Sequence, residues 1–134
     1  MDKIIVDTSV LIKWFTDEPG STDAQKILKQ QQNSKIQIIL PDIVLLELVN
    51  ALYWAKKFTY EHILIVLEAM SKIKIIYKGL NNSLLPAASL LMIRYKIQSY
   101  DALFIALAEV EKCPLITVDR KHHRKEISKR IRYL

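Results

Sequence analysis

Four carboxylates are the residues of this sequence whose type and spacing could do chemistry together. Asp7, Glu47, Asp101 and Asp119 are separated by 40, 54 and 18 residues. Gathered in one place and left bare, four such groups would repel one another strongly. A hard divalent cation relieves that repulsion, and both Mg²⁺ and Mn²⁺ prefer carboxylate and water oxygens while keeping positions open for phosphate oxygens. The set therefore indicates a Mg²⁺ or Mn²⁺ site with room for a phosphate group.

Three of these residues also fit a purely structural role. Asp7 and Asp119 each follow a short β-branched run, and an aspartate after a strand is a good helix N-cap. Asp101 lies in the first turn of an apolar segment whose N-cap we expect to be Ser99. The helix dipole favours a negative charge there. Taken singly, each aspartate is explained by capping.

Glu47 is harder to explain by structure alone. It is the only charge in the segment 43–49, and its helical neighbours at three and four residues are Ile43, Val44, Asn50 and Ala51. A carboxylate on such an apolar face is either buried, which is costly unless it is paired, or it points into a cleft. Because no Lys or Arg lies within four residues of it, we favour a functional role over a structural ion pair.

The sequence offers no competing catalytic apparatus. It has a single cysteine, Cys113, and no Gly-rich phosphate loop. Ser9 has no histidine near it in sequence. His122 and His123 are adjacent, so on a helix they would point in different directions and make a poor pair of metal ligands.

The elements that must position the carboxylates alternate between strands and helices. Strands are predicted at 3–6, 36–40, 73–77 and 115–118, with a weaker fifth at 131–134. Helices are predicted at 9–15, 22–32, 42–57, 60–72, 80–95 and 100–112. This alternation predicts an α/β fold with a mostly parallel sheet of four to five strands flanked by helices. Ligands bind beyond the carboxyl ends of such strands, where Asp7 and Asp119 are expected.

Composition and charge favour one soluble domain over residues 1–134. The chain is 51% hydrophobic, which excludes intrinsic disorder. The absence of a signal-like N-terminus, of a membrane span and of a second cysteine favours a cytoplasmic protein. Its net charge of +6 lies entirely after residue 119, where seven basic side chains face Glu126 alone. Such a segment attracts RNA or DNA, or it is a solvated terminus.

Four motifs in register resemble the PIN-domain nucleases, and most closely the VapC-type toxins of prokaryotic toxin–antitoxin pairs. They are Ile4-Ile5-Val6-Asp7-Thr8-Ser9, Pro41 with Glu47-Leu48-Val49-Asn50-Ala51-Leu52, Tyr100-Asp101-Ala102 with Ala106-Leu107-Ala108, and Leu115-Ile116-Thr117-Val118-Asp119. The resemblance runs nearly from end to end. Where some family members place a further acid after the fourth motif, this chain has the basic run 120–125.

The resemblance implies a three-layer PIN-like fold and a Mg²⁺- or Mn²⁺-dependent endoribonuclease. It also implies a homodimer that is inhibited by a small cognate antitoxin. Carried over by motif, the catalytic and metal-binding residues are Asp7, Glu47, Asp101 and Asp119, supported by Thr8 or Ser9 and by Thr117. Two alternatives stay open: a non-catalytic module that binds the antitoxin and acts as co-repressor, and a housekeeping RNA-processing nuclease of the same family.

Overall fold

The computed structural model describes residues 1–134 and contains one five-stranded sheet. All neighbouring strands are parallel, and their spatial order is β3-β2-β1-β4-β5. The strands are β1 (Asp2–Val6), β2 (Ile36–Pro41), β3 (Ile76–Lys78), β4 (Leu115–Thr117) and β5 (Ile131–Tyr133). The predicted α/β architecture with a parallel sheet is confirmed.

Six α-helices connect or flank these strands. They are α1 (Thr8–Leu11), which continues into a 3₁₀ turn at Ile12–Trp14, then α2 (Ser21–Gln32), α3 (Val44–Trp54), α4 (Tyr60–Lys72), α5 (Leu84–Tyr95) and α6 (Ser99–Glu111). None of them combines the length and the apolar character that a membrane span requires.

The core lies against both faces of the central strands. In β2 the consecutive residues Ile38, Ile39 and Leu40 are all buried. Successive side chains of a strand point to opposite faces, so layers must cover the sheet on both sides. Helix α6 supplies seven consecutive buried residues, 102–108, and it contacts β1, β2, β4 and α5. This helix is therefore held firmly against the sheet, and its N-terminus carries Asp101.

Several predicted boundaries move in the structure. The strand expected at 73–77 begins only at Ile76, because α4 extends to Lys72 and the chain must first turn at Ile73. The helix expected at 80–95 begins at Leu84, which places Pro86 in its first turn, where the missing N–H is tolerated. Ser99 is not the N-cap of α6: the cap is Gln98, and its side chain makes no capping hydrogen bond.

The parallel order brings the predicted site residues to one edge of the sheet. Asp7 directly follows β1, and Asp119 lies two residues beyond β4. Helix α3, which follows β2, carries Glu47 in its first turn. Helix α6 carries Asp101 in its own first turn. The carboxyl ends of three neighbouring strands and the start of one helix therefore frame a common space.

Candidate active site

Asp7 is the most completely hydrogen-bonded carboxylate of the site. Asp7 is buried, with 3% of the residue exposed. Its side chain caps α1, because Oδ1 accepts a hydrogen bond from the backbone N–H of Val10 at 3.2 Å. The hydroxyl of Ser9 donates to the same oxygen at 2.5 Å. Oδ2 accepts from the hydroxyl of Thr117 at 2.5 Å and contacts His123 Nδ1 at 2.8 Å. All four acceptor directions of this carboxylate are thus used, so capping and a site role coexist in one residue.

His123 is one of two histidines at the site that sequence reasoning missed. It is 1% exposed, and its Nε2 faces the backbone oxygen of Asp101 at 3.1 Å. Burial lowers the pKa of His123, but the hydrogen bond to Asp7 and the charges of Asp7 and Asp101 outweigh it and leave the pKa above its usual value. With an acceptor at each ring nitrogen, the imidazolium form satisfies both. His123 thereby connects β1 to the start of α6.

The two adjacent histidines contact different carboxylates, but they do not lie on a helix, which was the basis of the prediction that they would diverge. His122 and His123 lie in a turn, and His122 Nδ1 contacts Asp119 Oδ2 at 2.9 Å. No periodic pattern marks His123 in the sequence, since it stands inside a run of basic residues. The only available signal was its position just after the fourth acidic motif.

Asp119 organises the turn that follows β4. Its Oδ1 accepts from the backbone N–H of Lys121 at 3.1 Å and of His122 at 3.0 Å. Burial raises the pKa of Asp119, but the hydrogen bonds and charge of His122 outweigh it, so the net pKa is lowered. The backbone N–H of Asp119 donates to the Thr117 hydroxyl at 2.9 Å, which orients that hydroxyl toward Asp7. The expected capping role of Asp119 is present, in a turn instead of a helix.

A possible metal-ligand group lies beside this turn. One ligand atom from each of Asp101, Asp119 and His122 falls within 4.8 Å of the other two. Two of these residues were predicted ligands, and His122 is an addition. Asp7 and Glu47 are not part of this close group. Asp7 is held by its four donors, and Glu47 approaches from α3.

Glu47 is a partly buried acid with a strongly raised pKa. Its Oε1 is buried without a hydrogen-bond partner, and so is the neighbouring Thr8 Oγ1. Burial and the charge of Asp101 raise the pKa of Glu47 to about 7. Burial also raises the pKa of Asp101, against the opposing effect of the two histidines. These carboxyls share a region of negative potential in which a cation would be stabilised.

The donor set fits a divalent metal ion. It offers carboxylate oxygens, which Mg²⁺ and Mn²⁺ prefer, with one imidazole beside them. The orphaned Oε1 of Glu47 is a further free acceptor, on a carboxyl close enough to Asp101 for their charges to interact. The predicted supports are also near: Ser9 and Thr117 bond to Asp7, and Thr8 lies beside Glu47.

An apolar groove opens next to Glu47. Thr8, Leu46, Glu47 and Tyr100 line it together with the exposed rings of α3. Those rings, Tyr53 and Trp54, are 53% and 72% exposed and meet edge to face with centroids 4.8 Å apart. Trp14, by contrast, is a core residue whose indole N–H donates to the Ala24 carbonyl at 2.9 Å.

Comparison with known families decides what kind of domain this is. The sequence model of the PIN domain matches residues 4–127. The chain belongs to the PIN domain family. No curated protein gives a significant sequence match to this PIN domain.

Solved structures share its PIN fold. A toxin–antitoxin complex from Klebsiella pneumoniae is 22% identical, covers 90% of each chain and gives a TM-score of 0.66. VapC20 from Mycobacterium tuberculosis, described as a Sarcin-Ricin loop cleaving toxin, is 14% identical with coverage of 89% and 92% and a TM-score of 0.69. VapBC2 from Rickettsia felis, bound to a promoter DNA fragment, is 17% identical with 98% coverage of each chain and a TM-score of 0.75.

Proposed function

We propose that this PIN domain, spanning residues 1–134, is a metal-dependent endoribonuclease that hydrolyses RNA phosphodiester bonds. The observation that carries the proposal is the convergence of Asp7, Glu47, Asp101 and Asp119 at the carboxyl edge of the sheet, with Glu47 Oε1 buried and unpartnered. Family membership supports it, and so does the likeness to a toxin described as cleaving the Sarcin-Ricin loop.

Mg²⁺ or Mn²⁺ would be held by Asp101 and Asp119, with His122 within reach of both, and the negative charges of Asp7 and Glu47 would surround it. The bound ion supplies an activated water and charge stabilisation at the scissile phosphate. Ser9, Thr117 and His123 fix the rotamer of Asp7. Burial and the charge of Asp101 raise the pKa of Glu47 to about 7, so a cation beside it would favour the ionised carboxylate.

The biological role that we propose is that of a VapC-type toxin in the cytoplasm. Two of the similar structures are toxin–antitoxin complexes, which supports a small cognate antitoxin as partner. A second copy of this chain, in a homodimer, or that antitoxin would pack against the exposed rings of Tyr53 and Trp54.

One observation favours a second candidate function. The structure of VapBC2 from Rickettsia felis contains a bound fragment of promoter DNA. A similar role for this chain would be that of a non-catalytic module that binds its antitoxin and acts as co-repressor. The retention of all four acids favours the nuclease over this role. A housekeeping RNA-processing nuclease would carry the same site, and a small antitoxin gene beside this one would separate the two.

Cleavage of total cellular RNA by the purified, antitoxin-free protein tests the proposal. We expect discrete fragments in Mg²⁺ or Mn²⁺, none in EDTA, and none from folded Asp7→Asn or Asp101→Asn variants. Glu61→Gln, on the exposed start of α4, is the matched control and should cleave like the wild type. Equal cleavage by the two aspartate variants would refute the site assignment.

A further inference from the structure

The excess positive charge of this protein lies in its last fifteen residues, and most of it has no ion-pair partner. Residues 1–119 carry 13 basic and 13 acidic side chains, whereas residues 120–134 carry seven basic ones and Glu126 alone. Two of the seven are paired: Arg124 with Glu126 at 2.9 Å and Arg130 with Glu109 at 3.8 Å. The other five are exposed and have no carboxylate within 4.0 Å. We name these five the basic ledge: Arg120, Lys121, Lys125, Lys129 and Arg132.

The basic ledge begins at the candidate active site. Arg120 follows Asp119 directly, at the carboxyl edge of the sheet. Farther along the chain, Lys125, Lys129 and Arg132 line an open depression beside β5, together with the ion-paired Glu109, Glu126 and Arg130. Because β5 is the outermost strand of the sheet, this side of the protein is not covered by a further strand. The ledge thus extends from the acidic cluster along a free edge.

The ring of Tyr133 contacts two of these cations, and its hydroxyl connects them to the candidate active site through a hydrogen bond. The guanidinium carbon of Arg120 lies 4.0 Å from the centroid of the Tyr133 ring, and Lys125 Nζ lies 5.0 Å from it. The Tyr133 hydroxyl donates to the backbone oxygen of His123 at 3.0 Å. His123 in turn contacts Asp7. Cation–π contact restrains long side chains without neutralising them, so the charges stay available to a partner.

An acidic catalytic centre needs positive charge nearby if its substrate is a polyanion. The site carboxylates repel an approaching RNA strand, while unpaired cations beside them attract its phosphates. Binding of these cations to the phosphates releases counterions from the RNA. Phosphate contacts of this kind position a strand without reading its sequence. We propose that the basic ledge binds the phosphate backbone of the RNA on one side of the scissile bond. This proposal rests on the nuclease function proposed above.

The test is RNA binding in EDTA, where the strand stays intact. The probe is a labelled single-stranded polyuridylate of about 20 nucleotides, titrated over a salt series. The variant removes three ledge charges with Arg120→Gln, Lys125→Gln and Lys129→Gln. Its matched control removes three other exposed lysines that have no carboxylate within 4.0 Å, with Lys29→Gln, Lys35→Gln and Lys74→Gln.

We expect the ledge variant to bind at least about tenfold more weakly at low salt. Each lost phosphate contact lowers the slope of log K against log salt by about 0.7, so the slope should fall by about 2. The control should keep the wild-type slope. Equal binding by the ledge variant and the wild type would overturn the proposal, as would equal losses in both triple variants. A loss confined to duplex DNA of the same length would also overturn it.

Cleavage kinetics separate this proposal from the function on which it depends. With metal present, the ledge variant should cleave RNA with a raised KM and an unchanged kcat. If the wild type shows no metal-dependent cleavage, the nuclease function fails whatever the binding result. If the wild type cleaves and the ledge variant keeps its KM, the ledge assignment fails while the nuclease function stands.

Discussion

Replacing Glu47 with Gln should stabilise the metal-free fold at alkaline pH. Burial and the charge of Asp101 raise the pKa of the Glu47 carboxyl from its ordinary value of 4.5 to about 7. Between these two pH values the unfolded chain loses a proton that the folded protein keeps. Folding stability therefore falls as pH rises, and the full penalty is present above the folded pKa. Glutamine has a similar shape and no charge, so it removes that penalty.

The magnitude follows from the difference between the two pKa values of Glu47. At about 1.36 kcal/mol for each pH unit, the upper limit is about 3.4 kcal/mol. The side chain is only partly buried, so solvent screening reduces this figure to about 1–2 kcal/mol. Urea unfolding in EDTA measures it directly. The gain of the Glu47→Gln variant over the wild type should be clear near pH 8 and small near pH 5.

Glu111 provides a matched control of opposite sign. Burial raises its pKa, but Lys3 and Lys78 at 3.3 and 3.4 Å outweigh this effect and lower the net pKa. Its stabilising contribution is present above the unfolded pKa and is lost as the pH falls through the lowered folded pKa. Glu111→Gln should therefore destabilise the protein near pH 8. A Glu47→Gln variant that is less stable than the wild type near pH 8, or whose difference from it does not change with pH, would refute the reasoning.

Three further perturbations test the contacts around Asp7 and the metal-ligand group. His123→Gln takes away one of the four donors of Asp7 and should cost about 1–3 kcal/mol in urea unfolding; an unchanged free energy of unfolding would show that the contact is not formed. Thr117→Val removes another donor and should cost about 1–2 kcal/mol, whereas Thr117→Ser should recover most of it; equal losses would point to packing. Mg²⁺ at about 100 times its Kd should stabilise the wild type by about 2.7 kcal/mol in thermal melts, and an equal shift in Asp101→Asn would place the ion elsewhere.

The sheet and the placement of the four acids near its carboxyl edge were predictable because their signals are local. The β-branched run before Asp7 and the run before Asp119 each predict a strand with an acid at its carboxyl end. A parallel order then gathers such ends at one edge. Glu47 was marked by its apolar surroundings, and its buried, unpartnered oxygen is the structural counterpart of that sequence signal.

The contacts within the site could not be predicted, because they join residues that are distant in sequence. His123 reaches Asp7 across 116 positions, and only the packing of the turn against β1 and α6 buries it. The same turn makes His122 a neighbour of Asp101. The start of β3 was misplaced for a different reason: α4 ends at Lys72 as predicted, but residues 73–75 form the bend that leads into the strand and are not part of it.

Anomalous diffraction from a crystal soaked in Mn²⁺ tests the central claim most directly. We expect a peak among the carboxylates of Asp7, Glu47, Asp101 and Asp119, nearest to the oxygens of Asp101 and Asp119. The peak should vanish in crystals of the folded Asp101→Asn variant. A wild-type crystal saturated with Mn²⁺ that shows no peak at this edge of the sheet, or a peak only elsewhere, would contradict the account.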